Sequence, residues 1–237
     1  MPTESDRINL SENKGENGII PTIMTEQNQA PELTTPHTGI SITKSQLTHH
    51  WKERLKGNNM GELKVTYADA DYFEEFDPNL DPNTVIYEEY VKESTPEEGH
   101  LNWGHLTVYP GRVNDEYFCT RGYFPKNPNA EQYYLCMNGN GLIMYRNRAG
   151  DCWCEELEEG SLHHTPEGVA RRIINLCDEP LMLSTCKPAN SGEDYDAIAE
   201  HPFPCHIYDD DGEMGIRVDL REEGSSDEAD IEALLRE

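Results

Sequence analysis

From Leu101 onward the chain is a succession of short runs rich in Val, Ile, Tyr, Leu and Thr, each closed by a turn signal. The runs fall at 105–109, 116–121, 132–137, 141–146, 151–156, 161–165, 171–177 and 181–187, with later ones at 205–208 and 214–219. Between them stand Pro110-Gly111, Asn138-Gly139-Asn140-Gly141, Ala149-Gly150-Asp151, Glu159-Gly160 and Asp178-Glu179-Pro180. β-Branched and aromatic residues suit a pleated, half-buried surface, whereas Gly, Pro, Asn and Asp suit the reversals between strands. Runs this short with turns this regular predict an antiparallel sandwich or barrel. Nothing in this half reads as a βαβ unit or a long amphipathic helix, so the expected fold class is all-β.

The flanking segments have a different texture. Residues 1–44 are rich in Thr, Ser, Asn, Glu and Pro. Such a stretch cannot bury enough apolar surface to offset its ordering entropy and is read as disordered. Ser45 to Leu55 reads as a short helix capped by Ser45. The region 62–92 follows as an arm, with Tyr67, Tyr72, Phe73, Phe76, Val85, Ile86, Tyr87 and Tyr90 as its expected core contacts. Within it, Asp77, Asn79, Asp81 and Glu88 have the spacing of a calcium-binding loop. Its sixth position must turn sharply and is Pro82 rather than Gly, so a surface turn is expected instead. After Leu220 the tail carries seven acidic residues against two arginines and is read as solvated. The expected organisation is a head of 1–44, a domain of 45–219 and a tail of 220–237.

Charge and cysteine usage bound the function. With 19 basic and 46 acidic residues the formal net charge is −27, which repels nucleic acid and anionic lipid. No run of eighteen apolar residues occurs, and the start lacks a basic-then-apolar pattern. A cytoplasmic protein without membrane or nucleic-acid partners is the expectation. The seven cysteines are odd in number and sit mostly within strands, as reduced thiols do. Cys152 and Cys154 share a strand face but lack the second pair of a familiar metal motif.

The chemistry is expected around Thr120 to Tyr134, TRGYFPKNPNAEQYY, which reads strand, loop, strand. Residues two apart on a strand face the same side. Glu131 and Tyr133 are therefore expected to point into one space, together with Tyr123 and Pro125. Farther on, Glu158-Glu159-Gly160 before a strand and then His164-Thr165-Pro166 is punctuation of the kind found in double-stranded β-helix, or cupin, jelly-roll barrels. The expected fold is such a barrel preceded by a short helix/strand arm.

The stretches DPNTVIYEEY, GHLNWGHLTVYPGRVNDEYFCTRGYF, AEQYYLCMNGNGLIMYRNRAGD, EEGSLHHTP and NLCDEPLMLSTCKPANSGEDYDAIAEHPF occur in that order over residues 82–208. Together they resemble the cupin-type glucose-6-phosphate isomerases of archaea and some bacteria. The resemblance implies interconversion of glucose 6-phosphate and fructose 6-phosphate, a place in glycolysis and gluconeogenesis, and a homodimer. In that family His-x-His, a Glu and a third His hold a divalent metal. Here those positions are Tyr123, Pro125, Glu131 and Arg171. Proline offers no side-chain donor and arginine is a permanent cation, so no metal or other cofactor is expected there. His105, His163 and His164 are the histidines that could rebuild such a site. The resemblance further implies Thr120, Gly122, Tyr123, Tyr133, Lys187 and Tyr195 as sugar-phosphate contacts. Lys187 and Glu193 stand where the family has a Tyr and a His near the phosphate, and Leu106, beside Thr107, stands for a family Thr. Proton transfer through an enediol needs a base and an electrophile. Glu131 is the expected base, with Arg171 as the electrophile in place of the metal. The alternative is a degenerate cupin that binds a sugar phosphate without turning it over.

Overall fold

The β-rich runs do fold as strands, and alternation along them decides what each one buries. The computed structural model describes Ser45 and residues 47–50, 52–58 and 60–218. The segments read as unpacked, 1–44 and 220–237, lie outside the described residues. Contacts divide the chain into two units, Met1–Thr48 and His49–Glu237. In the first unit, Leu47–Thr48 is the short strand β1, and the Ser45 hydroxyl donates to the Leu47 carbonyl at 2.6 Å.

The second unit holds β2 (Lys56–Gly57), β3 (Met60–Thr66), β4 (Val85–Lys92), β5 (Leu101–Val108), β6 (Arg112–Val113), β7 (Glu116–Tyr117) and β8 (Gln132–Asn138). It continues through β9 (Gly141–Arg146), β10 (Cys152–Leu157), β11 (Leu162–Thr165), β12 (Ala170–Asn175) and β13 (Leu181–Pro188). The helix α1 (Tyr195–Glu200) precedes β14 (Cys205–Asp210) and β15 (Glu213–Val218). A six-stranded sheet runs β11-β8-β13-β5-β4-β3, a three-stranded one runs β10-β9-β12, and a four-stranded one runs β15-β14-β7-β6. The first two face each other across one core, in which Leu106, Val108, Cys136, Leu181 and Leu183 meet Ile143, Tyr145 and Ile173. This is a cupin jelly-roll barrel, closed by non-consecutive strand neighbours.

Within the arm 62–92, β3 and β4 pair with each other and continue the large sheet through β5. Residues 77–83 form the expected turn, with the Asp77 and Asp81 carboxylates accepting from the Asn79 and Asn83 backbone N–H at 2.8 and 2.9 Å. Phe76, expected in the core, is 77% exposed and stacks on Tyr67 with ring centroids 5.9 Å apart. The helix expected over 45–55 is absent among the described residues of that span. The side chain of His49 is bound instead to Trp103 and His105. The run 116–121 is a strand only at Glu116–Tyr117, and beyond it Cys119 makes a lone bridge to Ile174. The membrane expectation concerns helices alone: among the described residues none is long and apolar enough to span a bilayer. All seven cysteines are free thiols.

Candidate functional site

The inward face of the large sheet changes character along its strands. Register pairs Val108 with Leu181 and Tyr87, then Leu106 with Leu183 and Glu89, then Gly104 with Thr185 and Val91, and finally Asn102 with Lys187. One end of the barrel is therefore aliphatic and the other polar. Gly104 marks the change. A Cβ there would lie 2.3 Å from Thr185 Oγ1 and 3.2 Å from Glu89 Oε1, so only glycine lets these groups approach.

At the polar end Arg171, Lys187 and three tyrosines close into one network. Arg171 is 3% exposed, and its guanidinium lies 3.7 Å from the centroid of the Tyr123 ring. Its Nε donates to the Tyr134 hydroxyl at 2.9 Å, one Nη to the Tyr123 carbonyl at 3.3 Å, and the other to Gln132 Oε1. Lys187 Nζ donates to the Tyr123 hydroxyl at 3.0 Å and to Glu193 Oε1 at 2.6 Å. The Tyr195 hydroxyl donates to the other Glu193 oxygen at 2.7 Å. Asp194 positions Tyr195, because its side chain caps α1 by accepting from the Ala197 N–H at 3.1 Å.

Charge within this network is sorted by environment. Burial works against the Glu193 carboxylate, but Lys187, the Tyr195 hydroxyl and Arg171 together hold its pKa below the ordinary value. Burial likewise opposes the Lys187 ammonium, and Tyr123, Glu89 and Glu193 more than reverse it, raising its pKa. Glu89 behaves differently. Desolvation dominates and raises its pKa above 4.5, with Glu193 adding to the rise and Lys187 and Arg171 only partly opposing it.

Two cavities meet at this network. The inner one, about 30 Å³, is lined by Thr120, Gly122, Tyr123, Tyr134, Arg171 and Glu89. That is room for a water or two and not for a sugar. The outer chamber is about 510 Å³ and is lined by Asn102, Lys187, Glu193, Tyr195 and again Glu89. Glu89 and Tyr195 stand where the two join. Gly122 has φ +75°, and a Cβ there would meet the Arg171 carbonyl oxygen at 2.7 Å, so the turn that brings Tyr123 onto Arg171 requires glycine.

Of the residues expected in the site, Thr120, Gly122, Tyr123, Arg171, Lys187 and Tyr195 converge here. Glu131 and Tyr133 do not. Strand β8 begins at Gln132, and its register pairs Tyr134 with Thr185 and Tyr133 with Cys186. Gln132 and Tyr134 therefore point inward, while Tyr133 is 45% exposed on the opposite face, stacked on the His164 ring. Glu131 lies just before the strand, with half its side chain in solvent and an oxygen 3.1 Å from His164 Nε2. A shift of one residue reverses every side chain of a strand, and the expected pairing of Glu131 with Arg171 fails for that reason. Glu89, Gln132 and Tyr134 were missed. The alternation Tyr87, Glu89, Val91 carried the signal for Glu89, but Glu88 beside it offered the same chemistry on the other face.

The metal that the resemblance implies does not fit these residues. At its four expected ligand positions are a phenol, a proline, a guanidinium already filling the space beside Tyr123, and a carboxylate turned outward. The remaining histidines are scattered. His105 pairs with His49, His163 with Glu155, and His164 with Glu131. Among the described residues no group of three or more His, Cys, Asp or Glu side chains is arranged around a common point.

Residues 57–222 match the family model described as glucose-6-phosphate isomerase. A glucose-6-phosphate isomerase of Pyrococcus horikoshii is 30% identical over 157 residues, covering 66% of this chain and 82% of the relative. One of Sinorhizobium medicae is 34% identical over 176 residues, covering 73% of this chain and 81% of the relative. Among solved structures, an oxalate decarboxylase of Bacillus subtilis aligns with a TM-score of 0.37 and 17% identity over 44% of this chain and 26% of its own. A score that low adds nothing to the strand topology described above.

Proposed function

This chain belongs to the glucose-6-phosphate isomerase family, and from that premise we propose that it interconverts glucose 6-phosphate and fructose 6-phosphate in the outer chamber, with Glu89 as the base. The observation that carries the proposal is the position of Glu89, the carboxylate common to both cavities, with a pKa raised by burial. Glu89 removes the C2 proton of the open-chain aldose, the O2 hydroxyl proton passes to O1 in the enediolate, and Glu89 returns its proton at C1 as the C2 carbonyl forms. Lys187 stabilises the developing oxyanion. An ammonium has three N–H donors, and Lys187 directs two of them to Tyr123 and Glu193, which leaves one for substrate. Arg171, with three of its five N–H donors given to Tyr134, Tyr123 and Gln132 and its guanidinium on the inner cavity rather than the chamber, orients Tyr123 beneath that lysine.

A second reading, a pocket that binds a sugar phosphate without converting it, is favoured by Tyr123, Pro125 and Arg171 standing where the resemblance puts metal ligands. Glu62, Glu89, Glu93 and Glu193 face one lysine in the chamber, a balance that weakens phosphate binding in either reading. Coupled assays of the full chain with both sugar phosphates, before and after chelation, separate the readings. Turnover that survives chelation supports the isomerase. Thermal stabilisation by fructose 6-phosphate without turnover, under every divalent metal added, supports the silent binder. The homodimer and the cytoplasmic location belong to the same proposal. Exposed Trp103, Tyr133 and Leu162 on the outer sheet face are the apolar surface that supports self-association, and sedimentation measures it.

A further inference from the structure

Arg171 and Arg172 are consecutive on β12 and so face opposite ways. Arg171 enters the barrel, whereas Arg172 lines a separate cavity of about 330 Å³ behind the wall, bordered also by Arg121, Tyr72, Phe203 and His206. Arg172 is 3% exposed. Its guanidinium lies 4.7 Å from the Phe203 ring centroid and 5.4 Å from that of Tyr72. One Nη donates to the Arg121 carbonyl at 3.2 Å, and Nε is buried without any partner. Among the described residues no carboxylate forms an ion pair with it. A buried charge without a counter-ion is costly, and cation–π contacts return only part of that cost.

The surroundings supply a second cation. Arg121 reaches the same cavity and is held at 2.5 Å by Asp71, whose side chain is 75% exposed. A pair so open to water is worth little and yields readily to another anion. The other carboxylate on the wall, Glu74, is already engaged by the Tyr208 hydroxyl and by Arg217 at 3.4 Å. His206 is paired with buried Glu116 at 2.7 Å. The cavity therefore presents two guanidinium groups to an incoming ligand, against carboxylates that have cationic or hydroxyl partners.

We propose that this cavity is a second binding site, distinct from the barrel mouth, for a small oxyanion: a phosphate or carboxylate group held between Arg172 and Arg121. A guanidinium binds such a group through paired N–H donors, and the Nη atoms of Arg172 have N–H bonds left beyond the one given to the Arg121 carbonyl. The aromatic walls suit a ligand with a short apolar body.

The test is calorimetric titration of the full chain with inorganic phosphate in one arm and acetate in the other, which tells the two oxyanion classes apart. It is run on the unaltered protein and on Lys187→Met, Arg121→Gln and Arg172→Met. Binding of at least one probe is expected to persist in Lys187→Met, to weaken at least tenfold in Arg121→Gln and to vanish in Arg172→Met. Loss in Lys187→Met with retention in both arginine variants overturns the proposal, as does no binding of either probe to the unaltered protein. Where Arg172→Met does not fold, Arg121→Gln decides together with crystals soaked in selenate. An anomalous peak between the two arginines supports the site, and its absence overturns it.

Discussion

The two faces of the six-stranded sheet are made by the same strands, yet they store polar groups in opposite ways. Inside, Arg171, Gln132, Tyr134 and Lys187 share, through Tyr123, a network that joins β8, β12 and β13 and opens on a chamber that Glu89 of β4 also lines. Outside, polar groups form a closed line. Trp103 Nε1–H donates to His49 Nδ1 at 3.1 Å, which makes His49 Nε2 the donor to His105 Nδ1 at 2.8 Å and His105 Nε2 the donor to Thr107 Oγ1 at 3.0 Å. Every ring nitrogen in that line has a fixed role. The inner network carries charge beside a cavity, whereas burial keeps the outer imidazoles neutral and their hydrogen bonds tie His49 to the sheet.

The comparison is tested most strongly at Glu89. Glu89→Gln is expected to lower kcat/KM by about 10²–10⁴-fold, the usual contribution of a positioned base. The same change is expected to raise stability at neutral pH. A carboxyl whose folded pKa lies above 4.5 contributes stability below that value and loses it as pH rises through the folded pKa. The glutamine cannot ionise and escapes that loss. Activity and denaturation midpoint should therefore move in opposite directions; a fall in both would make Glu89 a structural residue.

Next in size is Leu183→Ala, at the aliphatic end of the inner face. Leu183 is fully buried, so the truncation should cost about 2–5 kcal/mol in urea unfolding. KM for the sugar phosphate should stay close to its original value, because Leu183 itself lines neither the inner cavity nor the chamber. A changed KM with intact stability would show that the two ends of the barrel are not separate.

Much of this was legible in the sequence because burial and alternation dictate it. The strands β8, β9, β12 and β13 fall close to the runs read from Val, Ile, Leu and Tyr, and six of the expected pocket residues converge. What was not legible was parity. Glu131-Gln132-Tyr133-Tyr134 offers a polar and an aromatic residue to each face, so composition does not say which pair goes in. The answer depends on where the loop after Pro125 hands over to β8, and that is set by the pairing of Tyr134 with Thr185 on a strand some fifty residues away. The helix read over 45–55 failed similarly. Local propensity is weak beside the contacts of His49 with a sheet that lies far along the chain.

The outer line makes a prediction of its own, in acid. Burial, with His49 beside it, lowers the His105 pKa from 6.5 to about 4. A lowered histidine pKa means that the folded state binds fewer protons, so this stability is complete above 6.5 and is lost as pH falls from 6.5 towards 4. The shift corresponds to a loss on the order of 3 kcal/mol at the acid end. Urea unfolding at pH 7 and pH 4 should show this decline in the unaltered protein and a shallower one in His105→Gln. Equal slopes would mean that the imidazole is not held neutral by the sheet.

The smallest effect is expected at Glu131, and it is the one that separates the two faces most cleanly. Its carboxylate is half in solvent and bonded only to His164, itself 41% exposed at the side chain, so Glu131→Gln should change stability by no more than about 0.5 kcal/mol. Turnover should be unchanged, because the residue lies across the wall from Arg171 and Lys187. Measured beside Glu89→Gln, the pair reads the parity of the sheet directly in kinetics. If Glu131→Gln abolished turnover and Glu89→Gln did not, β8 would have to enter the barrel one residue earlier in solution. Tyr133 would then point inward and Tyr134 outward, and Arg171 would lose the hydroxyl that now accepts from its Nε.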